Sequence, residues 1–124
     1  MAQTVLVVDD DPVVHWVLRR LLEGMGFQLA RANNGLEALE LAARDLPQLI
    51  ILDVLMPEMG GLTVLRKLKE AEATKGIPVI VLTSLAQRTT QLEASNSGAD
   101  YFLSKPFTEA QLMTALRKLL PEPK

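Results

Sequence analysis

The hydrophobic pattern of this chain changes period repeatedly, and that alternation limits the folds open to it more than any other feature. Three short apolar runs rich in β-branched residues are Val5-Leu6-Val7-Val8, Leu49-Ile50-Ile51-Leu52 and Val79-Ile80-Val81-Leu82. Such runs have the character of strands buried on both faces of a parallel sheet. Between them, apolar residues recur at helical spacing. After Pro12, which suits a first helical turn, Val14, Val17, Leu18, Leu21, Leu22 and Met25 share one face, and Gly24 and Gly26 end the helix. Gln28-Leu29-Ala30-Arg31 alternates polar and apolar and reads as an edge strand. Asn34 is placed to cap a helix carrying Leu36, Leu39 and Ala43, and a third helix with Leu62, Leu65 and Leu68 follows Gly60-Gly61. A fourth helix, expected over 87–97, is poor in large apolar residues and ends at Gly98. Tyr101-Phe102-Leu103 makes a fifth strand, and Thr108 and Gln111 have capping-box spacing before Leu112, Leu116 and Leu119. Five strands alternating with five helices specify a doubly wound α/β fold with right-handed crossovers, expected to form a single domain over 1–124.

Composition narrows the function. A length of 124 residues with 48% hydrophobic and 23% charged side chains supports a real core and excludes a disordered chain. A net charge of −2 offers no basic face for nucleic acid, and the absence of cysteine removes disulfides, thiol catalysis and cysteine-ligated zinc. The opening MAQTVLVVDDD meets acids too soon to be a signal peptide or a membrane span, so a soluble cytoplasmic domain is expected.

Polar residues follow the buried strands with a regularity that stability does not require. The first strand runs into Asp9-Asp10-Asp11, the third into Asp53, the fourth into Thr83-Ser84 and the fifth into Ser104-Lys105. In an open parallel sheet the carboxyl ends of the strands border the ligand crevice, so these groups converge there. Clustered carboxylates repel one another unless a positive charge joins them, and oxygen-only ligands point to a hard cation such as magnesium. A cation, a lysine and a hydroxyl around a carboxylate form a set suited to phosphoryl chemistry, with the carboxylate as nucleophile.

The segments VLVVDDD at 5–11, NGLEAL at 34–39, LDVLMPEMGG at 52–61, VLTS at 81–84 and GADYFLSKPF at 98–107 together resemble the receiver (response-regulator) domain of bacterial two-component signalling. The resemblance covers nearly the whole chain. It implies a flavodoxin-like (βα)5 fold with a five-stranded parallel sheet of order 2-1-3-4-5. It implies a phospho-accepting switch whose only reaction is self-directed phosphotransfer and autodephosphorylation, with Asp53 as phosphoacceptor. Asp10 and Asp53 would bind Mg2+ directly, Asp9 through water, and the Leu55 backbone carbonyl would be a further ligand. Thr83 would be the switch hydroxyl, Phe102 the switch aromatic and Lys105 the phosphate-binding lysine, with a cis bond before Pro106. The implied partners are a sensor histidine kinase or histidine phosphotransfer protein and a downstream effector. The implied output is a changed surface of helix 4, strand 5 and helix 5, and a phosphorylation-dependent homodimer falls within the same pattern. Neither nucleic acid nor membrane is expected as a partner.

Other residues have plainer readings. Asp11 fits the role of an N-terminal helix acid better than that of a ligand. His15, the only histidine, lies about 100° from the core-facing line of its helix and is expected to be partly exposed, without a catalytic role. Trp16 lies about 200° from that line, either as a contact for the phosphodonor or laid along its neighbours' aliphatic stems. A competing reading is a phosphatase of the haloacid-dehalogenase type, with Asp9 as nucleophile in Asp9-x-Asp11-x-Val13. That reading lacks its later acidic pair and leaves Asp53 without a role. A flavodoxin-like cofactor binder is disfavoured by charge, since three acids stand where its phosphate loop would be.

Overall fold

The computed structural model describes residues 3–9, 11–53, 61–84, 98–105 and 107–120, and for Thr83, Ser84 and Lys105 the description is of the backbone. Its elements are β1 (Gln3–Val8), α1 (Pro12–Gly24), β2 (Phe27–Ala32), α2 (Gly35–Asp45), β3 (Leu49–Asp53), α3 (Gly61–Glu70), β4 (Val79–Ser84), β5 (Tyr101–Lys105) and α4 (Glu109–Leu119). The five strands form one sheet of order β2-β1-β3-β4-β5, with every neighbouring pair parallel. This is the doubly wound, flavodoxin-like arrangement, with β2 at an edge as its alternating pattern predicts. The helix expected over 87–97 lies outside the described residues.

The apolar runs work because successive strand residues face opposite ways. Leu6, Val8, Ile50, Leu52, Val79 and Val81 pack on one side against Ala38 and Ala42 of α2 and Val64, Leu65 and Leu68 of α3. Val5, Val7, Leu49, Ile51, Ile80 and Leu82 pack on the other against Leu18 and Leu22 of α1 and Leu112 and Leu116 of α4. Local caps set the helix starts. The Asp11 carboxylate accepts from Val13 N–H, the Asn34 side chain from Glu37 N–H, and Thr108 and Gln111 form the reciprocal capping box.

Two expectations on helix faces are corrected. The buried line of α2 runs through Gly35, Ala38 and Ala42, while Leu36 is 61% exposed. Small residues let α2 lie close against the sheet and α3, so weighting the leucines picks the wrong face. In α1 the deepest line is His15, Leu18 and Leu22, and Val14, Val17, Leu21 and Met25 are only half-buried at its flank. His15 is thus buried, at 5% exposure, and not partly exposed as its angular position suggests.

Candidate functional site: an acidic pocket at the sheet edge

β1 and β3 are neighbours, and their register pairs Val8 with Leu52. Asp9 and Asp53 each come one residue later, so they stand level on strands about 4.8 Å apart. Asp9 is fully buried and Asp53 is 7% exposed. Two residues separated by 44 positions are brought together by strand pairing alone. Beyond Asp53, β4 and β5 continue the same edge, with Thr83 opposite Ser104 and Ser84 opposite Lys105. The backbone therefore carries Thr83 and Lys105 to the carboxyl ends of their strands, on the side of the sheet where Asp9 and Asp53 lie. Phe102 pairs with Val81 in the β4–β5 register and is half-buried against the α2–α3 side of the core. Asp10, Leu55 and Pro106 lie outside the described residues.

The turn leaving β1 is held by a local set of bonds. The Asp11 N–H donates to the Asp9 carboxylate at 2.9 Å, and the Asp9 N–H reaches the Ala32 carbonyl at 3.4 Å. Asp11 spends its own carboxylate on capping α1, in keeping with the plain role its position suggests. His15 folds back from α1 so that its Nε2 hydrogen-bonds the Asp9 carbonyl. Burial holds the imidazole below the ordinary histidine range, and the neutral ring donates through Nε2–H because a carbonyl can only accept. Sequence reasoning missed this contact. The available signal was the i, i+6 spacing from the strand-end acid to a histidine one turn into the helix.

Among the described residues no group of three or more potential metal-ligating side chains occurs; the third carboxylate expected in the pocket is Asp10. The donor chemistry nevertheless fits a hard divalent cation. Two carboxylates are withdrawn from water side by side, and the one nearby imidazole has its Nε2 committed to a backbone carbonyl.

Trp16 is 59% exposed, as expected from its helical position. The Arg20 guanidinium lies 5.0 Å from its ring centroid, and Trp16, Val17, Arg20, Leu21 and Glu109 line an open depression of about 340 Å³ between α1 and α4.

A five-stranded doubly wound sheet with paired buried acids at its carboxyl edge defines a class of α/β domain whose chemistry sits at the strand ends. Comparison with known proteins makes the class specific. The family model describing the response regulator receiver domain matches residues 5–117, and the chain belongs to that family. It is 41% identical over 119 residues to the response regulator PleD of Caulobacter vibrioides, covering 96% of this chain and 26% of that protein. A putative response regulator from Chloroflexus aurantiacus superimposes with a TM-score of 0.91 at 32% identity, covering 96% of this chain and 98% of that one. The receiver domain of sensor histidine kinase PA1611 from Pseudomonas aeruginosa, with magnesium coordinated in its active site cleft, gives 0.88 at 27% identity, covering 96% and 98%. The chain is thus a receiver domain of two-component signalling, and it spans about a quarter of the length of PleD. The haloacid-dehalogenase reading gains no support from these likenesses. No helix among the described residues is long and apolar enough to cross a membrane.

Proposed function

We propose that the chain forms one receiver unit over 1–124 that accepts a phosphoryl group on Asp53 from a sensor histidine kinase or a histidine phosphotransfer protein. A carboxylate oxygen of Asp53 attacks phosphorus, the P–N bond to the donor histidine breaks, and its electron pair returns to the imidazole, which takes up a proton. The product is an acyl phosphate that water later hydrolyses. Asp10, Asp53 and the Leu55 carbonyl, with Asp9 beside them, would hold Mg2+, and the ion would supply positive charge to neutralise the phosphoryl oxygens. Lys105 contributes the second positive charge and Thr83 a hydrogen bond to one oxygen. Reorientation of Thr83 lets Phe102 follow, which alters the surface of the helix expected over 87–97, of β5 and of α4, and so shifts the population seen by a downstream effector or a second copy of the domain. The bond before Pro106 is cis in this reading, and Trp16 serves as a contact for the phosphodonor. The reaction is confined to the protein's own carboxylate, no nucleic acid is bound by this domain, and its place of work is the cytoplasm.

The observation that carries this reading is the pair of buried carboxylates, Asp9 and Asp53, level on adjacent strands. Intact mass after incubation with acetyl phosphate, with and without Mg2+, tests it on the parent and on Asp53→Asn. One phosphoryl adduct is expected, on the parent alone and with metal alone. An adduct that persists on Asp53→Asn moves the nucleophile elsewhere, with Asp9 the first candidate.

A further inference from the structure

The β1 ladder ends at Val8, which pairs with both Ala32 and Leu52. The next carbonyl, that of Asp9, belongs to a fully buried residue. A buried carbonyl past the end of a ladder must find a donor or bear the cost of desolvation. The donor here is the Nε2–H of His15, reaching back from α1. The same ring leaves Nδ1 without a hydrogen-bond partner among the described residues. Among the described residues one ring nitrogen has no partner, and the other is committed to the peptide carbonyl of Asp9. Packing alone does not call for a histidine there, because Leu18 and Leu22 fill the same line of α1 with apolar atoms.

We propose that His15 is a positioning residue for the cation site. By holding the Asp9 carbonyl from outside the ligand set, it fixes the exit of the chain from β1 and with it the Asp9 carboxylate, which is also tied to the Asp11 N–H. The acidic pair is thereby presented in one geometry before any ion arrives. His15 acts through the backbone and touches neither metal nor phosphoryl group. Partners outside the ligand shell commonly set metal affinity in this way. The inference rests on Mg2+ being held in this pocket, as set out under the proposed function.

The test compares Mg2+ affinity by titration calorimetry in the parent, in His15→Phe and in His15→Gln, alongside urea unfolding of each. Phe keeps a ring of similar size and loses the donor; Gln keeps an N–H at comparable reach. Weakening on the order of 10-fold is expected in His15→Phe, with most of it restored in His15→Gln. A folded His15→Phe that binds Mg2+ as tightly as the parent overturns the proposal and leaves phosphorylation of Asp53 untouched. Equal weakening in both variants also overturns it, because it assigns the effect to packing. If the parent itself shows no Mg2+ binding, the site reading fails first and this one with it. Nitrogen NMR of the parent supplies a check that needs no variant to fold: the Nε2–H tautomer is expected, with a resonance that shifts on adding Mg2+, and the Nδ1–H tautomer refutes the idea.

Discussion

Leu46 takes backbone angles that side-chain-bearing residues seldom adopt, with φ at 46° and ψ at 64°, at the carboxyl cap of α2. Its side chain is 53% exposed, so little burial offsets the conformation. Asn tolerates the left-handed region and is a common helix C-terminal residue. Leu46→Asn is therefore expected to raise unfolding stability by up to about 1 kcal/mol in urea denaturation. His15 shows the converse case, where a single residue was misread for a physical reason. Angular position on a helix reports which way the Cβ points, whereas the imidazole is long enough to swing over the end of β1 and reach a carbonyl. Asp11, by contrast, was legible because capping depends only on residues within one turn.

At the scale of elements, α3 is tied to the sheet by one lysine. Lys69 Nζ donates to the Ile77 carbonyl and to the Asp100 carboxylate, both at 2.9 Å, and Asp100 in turn accepts the Val79 N–H at 2.8 Å. The start of β4 and the approach to β5 are thus joined through α3. Lys69→Met, which keeps the aliphatic stem, is expected to cost about 1–2 kcal/mol in urea unfolding by leaving Asp100 with only its backbone partner. Gly98 completes the joint: its φ is +102°, and an added Cβ would lie 3.0 Å from Lys69 Cγ. The sequence offered no clue to this latch, because its charged partners are 31 residues apart and each alone looks like a solvated surface group. The capping box at Thr108 and Gln111 was readable for the opposite reason, as both partners lie within four residues. The seam of α2 was misread because alanines at a close-packed face carry little hydropathy for the contact they make.

For the whole molecule, the two faces of the sheet each have their own core, and the acidic pocket sits where β1 and β3 leave both. Fold class was legible because buried parallel strands are written as continuous apolar runs and helices as a different period, while the strand order was legible only through the family resemblance. The meeting of Asp9 and Asp53 was legible because an acid follows each of two apolar runs that pair in the sheet. In the proposed site Mg2+ would bind only the folded chain, so Mg2+ at ten times its dissociation constant is expected to stabilise the parent by about 1.4 kcal/mol, with a smaller gain in Asp53→Asn. Thermal or urea unfolding with and without the ion measures this. The strand order also has a consequence in time. As the chain is made from its amino end, β2 and then β3 take the two sides of β1, and β4 and β5 follow outward on a single edge, so no strand is ever inserted between two others. The residues that bring the two acids together are all made by Asp53, while Lys105 comes 52 residues later. At ribosomal rates of about 5–20 residues per second, that gap lasts roughly 3–10 seconds. Each newborn molecule passes through a brief age in which both acids have been written and Lys105 has not.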